Sequence, residues 1–208
     1  MSDKQKFIKA LIMPTLFGIL ILNVQLIQSF TGIDLTRFGI FPHKATGIIG
    51  ILLSPLIHSG FNHLISNIIP LFLMGTALYY FYPSSANKVI TIIYILTGIL
   101  VWLFARPAYH IGASGVVYGL ASFLFFSGII KRDVRSITVA LLVVFLYGGL
   151  VWGILPIDNK ISYESHFYGG VVGFICAFIF RKSDPYKKYD WEDEEKDWDD
   201  NDLKIKYD

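Results

Sequence analysis

Along this chain, long apolar stretches alternate with short polar ones at a spacing that suits a bilayer better than a soluble core. Residues 10–29 form the first stretch, long enough for the ~20 residues with which a helix crosses a membrane. A basic head carrying Lys4, Lys6 and Lys9 precedes it. Pro14 falls in the first turns of the stretch, where a helix tolerates proline best. Further apolar stretches cover residues 61–82, 89–104, 112–130, 137–155 and 165–180. The last is short and polar at its start, and it counts as a sixth span. Residues 30–60 make a long connection whose segment 46–57 is strongly apolar but too short to span, with Pro55 inside it. That segment is expected to lie in the interface or to dip part-way into the bilayer. The first stretch lacks a small-residue cleavage site, so it is expected to stay as a span. The pattern predicts an all-α integral membrane protein with a six-transmembrane-helix bundle.

Composition agrees, with 54% hydrophobic and 16% charged residues, against about a quarter charged in soluble domains. The formal net charge of +2 conceals two halves. Residues 1–183 hold 13 Lys/Arg and 5 Asp/Glu, whereas residues 184–208 hold 5 and 11. The chain therefore divides into a membrane domain, 1–183, and an acidic, solvated cytoplasmic tail expected to be disordered, 184–208. The single cysteine, Cys176, lies in an apolar run and reads as a small buried thiol. Basic residues in the short loops set the orientation. With both termini cytoplasmic, eleven Lys/Arg fall inside and four outside, namely Arg37, Lys44, Arg106 and Lys160.

This topology places several polar side chains at one depth near the outer face. His110-Ile111-Gly112-Ala113-Ser114-Gly115-Val116-Val117-Tyr118-Gly119 opens the fourth span. A serine flanked by glycines is either an accessible nucleophile or a packing site for a neighbouring helix. His63 and Asn67 stand four residues apart and so share a helix face in the second span. They are two donors for a developing oxyanion or, alternatively, an interhelical hydrogen-bond pair. His166 stands above Gly169 and Gly173, a small-residue stripe that would let the sixth span approach Gly115 and Gly119. Tyr118, one turn below Ser114, is placed to stack on the imidazole or to bond a carbonyl. No acid lies in a span beside a candidate histidine, and Glu164 projects away from His166. Hydrolysis would therefore rest on a serine–histidine dyad. A zinc site from His58, His63 and His166 lacks both the HExxH pattern and an acid, so neither metal nor other cofactor is expected. His43 and His110 fall in outer connections and are expected to be solvated, with His110 near the mouth of the site.

The combination of His58-x4-His63-x3-Asn67, Gly112-x-Ser114-Gly115 with Tyr118, and His166-x2-Gly169-x3-Gly173 resembles the rhomboid family of intramembrane serine proteases over roughly residues 10–182. The resemblance implies Ser114 as nucleophile and His166 as general base. It implies an oxyanion hole of His63, Asn67 and the Ser114 N–H, Tyr118 packed under His166, and His58 bracing the connection. The implied reaction is peptide-bond hydrolysis in or beside a substrate's transmembrane helix. The expected partners are single-span membrane proteins and the lipid bilayer, with no nucleic acid. The minimal six-span architecture points to a bacterial cytoplasmic membrane as the expected place. Many relatives carry a Trp-Arg pair in the long first connection; residues 30–60 hold no tryptophan, and Arg37 stands without that context. The competing reading is a catalytically inactive relative that binds membrane clients. A small transporter would call for inverted repeats or helices broken at mid-membrane, and the sequence has neither.

Overall fold

Helix α1 (Asp3–Thr31) starts inside the basic head because Ser2 and Gln5 form a capping box there. The structure, a computed structural model, describes residues 2–157 and 161–187; Asp158, Lys160 and the acidic run 188–208 lie outside the described residues. With the helix starting so early, Pro14 sits deep inside α1 rather than in its first turns. Its ring is used for packing. A Cβ on Gly75 of the facing helix would stand only 3.0 Å from Pro14 Cγ. Gly32, at φ 69°, ends α1 in the left-handed conformation that glycine adopts without penalty.

After a 3-10 turn at Thr36–Phe38, the long connection holds another (Ala45–Gly47), the one-turn helix α2 (Gly50–Leu53) and a third (Ser54–Leu56). The elements from Ala45 to Leu56 form the short apolar segment expected there. Four longer helices follow: α3 (Phe61–Phe81), α4 (Ala86–Phe104), α5 (Ser114–Lys131) and α6 (Val134–Tyr147). Helix α7 (Tyr163–Ile179) closes the described bundle. Among the described residues, five helical segments are long and apolar enough to cross a membrane, the fifth being α6 with its 3-10 continuation; α7, at 17 residues, is shorter. No strand occurs among the described residues, only an isolated bridge between Ile40 and His110.

The apolar stretch 137–155 is wound in two ways: α6 stops at Tyr147, and Gly148–Ile154 continues as a 3-10 helix. Gly148, Gly149 and Gly153 each weaken an α-helix by about 1 kcal/mol relative to alanine, which makes the tighter winding accessible. The rewinding aims two backbone carbonyls, those of Leu150 and Gly153, into the bundle.

Helix α5 is the most buried of the spanning helices, and α7 packs chiefly against it. Apolar tails give lipid and protein similar surroundings, so close fit and hydrogen bonds hold such helices together. The fit here is backbone on backbone. A Cβ on Gly169 would overlap the Gly115 carbonyl oxygen, and one on Gly173 would overlap that of Gly119. Ser122 Oγ adds a 2.6 Å bond to Gly170 O across the same interface. Leu64, Leu71, Leu78, Tyr82, Phe123 and Val172 fill the remaining core, and Cys176 is buried among them.

Asp184, grouped with the tail by charge, is itself buried and tied to the bundle rather than solvated. Its carboxylate accepts from Ser84 N at 2.7 Å, Ser84 Oγ at 2.5 Å and Ser85 Oγ at 2.6 Å. Burial opposes ionisation of Asp184, but these bonds and the nearby Lys131 outweigh it and hold its carboxyl below the usual range.

Candidate active site

Ser114 is the first residue of α5, so its amide N–H has no carbonyl of a preceding turn to accept it. Its hydroxyl lies 2.8 Å from His166 Nε2. The other imidazole nitrogen, Nδ1, lies 2.8 Å from Gly153 O. A carbonyl only accepts, so Nδ1 carries the proton and Nε2 presents its lone pair to the serine. A backbone carbonyl thus occupies the position that an acid holds in a triad. Tyr118 stacks on His166 with ring centroids 4.1 Å apart and planes 5° from parallel, and its OH donates to Leu150 O at 2.8 Å. Gly153 has no room for a side chain, because a Cβ would strike Tyr118 Oη.

His63 faces the same cavity. Ser59 N–H donates to His63 Nδ1 at 3.5 Å, which makes Nδ1 an acceptor and leaves Nε2–H as a donor. Nε2 is directed past Gly112, where a Cβ would come within 2.7 Å of it; Gly112, at φ +103°, also adopts a conformation that suits glycine. Asn67 is buried, with Nδ2 2.7 Å from His63 O and 3.4 Å from Ser66 Oγ, while Oδ1 has no partner. One N–H of Asn67 is therefore spent on its own helix, and the second is held only weakly. His58 accepts from Ala113 N–H at 3.4 Å, and its own carbonyl accepts from Gln28 Nε2 at 3.2 Å. It joins the end of α1 to the start of α5.

Ser114, His63, Asn67, Tyr118 and His166 line one cavity of about 540 Å3. The five residues come from α3, α5 and α7. Gly112 and Gly115 flank the serine; Gly169 and Gly173 set the approach of the histidine helix.

His110 departs from its expected place in solvent. It is 2% exposed, with Nε2–H donating to Arg106 O at 3.1 Å. Its Nδ1 therefore accepts from Ser162 Oγ at 2.6 Å, and Ser162 in turn accepts from Ser165 Oγ at 2.6 Å. Arg106 binds Ile161 O at 2.8 Å and stands 3.6 Å from the Glu164 carboxylate. Glu164 thus points to Arg106 rather than to His166. This latch fixes the start of α7 one turn before His166. The sequence signal for it was weak: a basic residue and a histidine in one loop, and an acid with two serines around the start of α7.

Burial pushes the His110 imidazole below its ordinary value of 6.5, against opposing help from the Arg106 carbonyl and the Glu164 charge. The unfolded chain takes up a proton near 6.5 before the folded one does. Stability is thus fully present above that value and declines as pH falls below it. We expect the melting temperature to fall between about pH 7.5 and about pH 5.5, and to fall less in His110→Gln. Thermal unfolding of both proteins at the two pH values checks this; equal slopes would refute it.

The Rhomboid domain family matches residues 45–183. The uncharacterized protein Rv1337 of Mycobacterium tuberculosis is 34% identical, over 78% of this chain and 72% of its own length. The uncharacterized protein ML1171 of Mycobacterium leprae is 30% identical, over 78% of this chain and 68% of its own. A family match over most of the chain, on a bundle of apolar helices, makes this multi-pass membrane protein a member of the rhomboid family.

Proposed function

We propose that this chain is an intramembrane serine endopeptidase that cuts peptide bonds in or next to transmembrane helices of single-span membrane proteins. One observation carries the reading: Ser114 Oγ stands 2.8 Å from a His166 Nε2 whose opposite nitrogen is committed to Gly153 O. A client-binding relative without activity has no use for a serine and a histidine held in this tautomer.

In the proposed reaction, His166 Nε2 takes the Ser114 hydroxyl proton as Oγ attacks the scissile carbonyl carbon. The resulting oxyanion is held by the Ser114 N–H, by His63 Nε2–H and by Asn67, which exchanges its 3.4 Å contact with Ser66 for the oxyanion. The positive end of the α5 dipole favours the same charge. The imidazolium is steadied by the Gly153 carbonyl and by the Tyr118 ring. It then gives its proton to the leaving amine, which breaks the C–N bond and leaves an acyl-serine. Water, deprotonated by His166, releases the acid product and restores Ser114.

The topology that fits this reading has six spans with both termini cytoplasmic, a membrane domain at 1–183 and an acidic tail at 184–208. The cavity then opens toward the outer face of a bacterial cytoplasmic membrane, which supplies water to a site below the surface. Helix α7, of 17 residues, spans about 26 Å against a hydrocarbon core of about 30 Å, so thinning of the bilayer around it is expected. Reconstitution with a generic single-span substrate tests the function. The expected result is two products whose masses locate the cut within or beside the span. An intact substrate alongside folded enzyme would favour the client-binding reading.

A further inference from the structure

Helix α1 packs chiefly on α3 and beside that contact touches α4. Pro14 rests on Gly75, and Phe17 meets Tyr94 edge-on with ring centroids 6.0 Å apart. Between α1 and α4 lies a groove of about 300 Å3, floored by Leu71 and Leu120 and walled by Met13, Phe17, Thr91 and Ile95. It is distinct from the serine cavity and shares no lining residue with it.

The Tyr94 OH donates to Leu52 O, and a second set of polar groups gathers at the other end of the groove, towards Tyr79. There Tyr79 OH donates to Asn87 Oδ1 at 2.8 Å. Phe7 meets Tyr80 at 6.2 Å, which brings the basic head of α1 to the same end. Along α1, Lys6, Lys9, Met13 and Phe17 follow at intervals of three or four residues and so share a face. Along α4, Lys88, Thr91 and Ile95 do the same. Each wall is therefore apolar inside and basic at the mouth, and these lysines are exposed. Of the acids nearby, Asp3 stands 3.6 Å from Lys6, and Asp184 is engaged by Ser84 and Ser85.

We propose that this groove binds one anionic phospholipid, an acyl chain lying between α1 and α4 and the phosphate at the mouth formed by Lys9 and Lys88. An apolar groove alone does not favour a particular lipid, because bulk hydrocarbon offers similar contacts. The paired lysines supply the choice, since basic residues at a membrane surface attract anionic headgroups. The chain fills the space that α1 leaves against α4 and so completes the seating of α1. This inference does not depend on the protease reading.

The test uses the full chain, purified in detergent and stripped of lipid, then titrated with dioleoylphosphatidylglycerol or dioleoylphosphatidylcholine and read by native mass spectrometry. The expected result is one phosphatidylglycerol retained per chain, about tenfold tighter than phosphatidylcholine. Lys9→Gln with Lys88→Gln removes that preference, and Thr91→Trp, which fills the groove, removes the bound lipid. Equal retention of both lipids by the parent would overturn the proposal, as would unchanged phosphatidylglycerol binding in the lysine pair. Both lysines are exposed, so this pair decides the question even if Thr91→Trp does not fold.

Discussion

Ser114→Ala and His166→Ala are each expected to lower the cleavage rate by about 10^4-fold or more, and the double variant is expected to be no worse than either single one. The reason is that the two side chains act as one unit. Without His166 the Ser114 hydroxyl keeps its proton and is a poor nucleophile; without Ser114 the imidazole has no proton to take. Substrate affinity should change little, because the helix-binding surfaces are untouched. The loss therefore falls on kcat rather than KM in a proteoliposome assay. Both side chains face a cavity, so folding should be near parental. Multiplying losses in the double variant would mean that the two groups contribute separately, and the dyad assignment would fail.

The second large effect comes from a methyl group. Gly169→Ala places a Cβ on the Gly115 carbonyl oxygen, and α7 must move away from α5 to relieve the overlap. Such overpacking costs about 1–3 kcal/mol. The same movement carries His166 from Ser114, and a displacement of about 1 Å can cost about 100-fold in rate. Gly170→Ala is the control. It lies on the next position of the same helix, where a Cβ meets nothing within 4 Å, and it should behave nearly as the parent does. Thermal unfolding and cleavage rate measured on both variants check this. Equal losses at the two positions would show that the α5–α7 contact is not responsible, since alanine by itself favours the helix at both.

The residues that meet in the cavity were legible in the sequence because each announces itself against an apolar background. A histidine and an asparagine four residues apart inside a span can be read without coordinates, as can a glycine-flanked serine at a helix start and a histidine above a glycine stripe. The histidine's partner could not be read this way. The group on His166 Nδ1 is the backbone carbonyl of Gly153, and a backbone acceptor has no residue type to betray it. Its only trace was the cluster Gly148, Gly149 and Gly153 in a stretch that hydropathy alone reads as a continuous helix. The latch of Arg106, His110, Ser162 and Glu164 was hidden for another reason. Its members lie in the α4–α5 connection and at the start of α7, more than 50 residues apart, and charge at such places reads as solvation until the fold buries it. The start of α1 was misplaced because hydropathy marks where a helix enters lipid, whereas the capping residues Ser2 and Gln5 mark where it begins.

The central claim is that Ser114 is an activated nucleophile in the folded protein. Its most direct test is to treat the purified protein with a fluorophosphonate and map the adduct by peptide mass spectrometry. One adduct is predicted, on Ser114, absent from Ser114→Ala and from His166→Ala. A folded parent that stays unlabelled, or that carries its label on another serine, would contradict it.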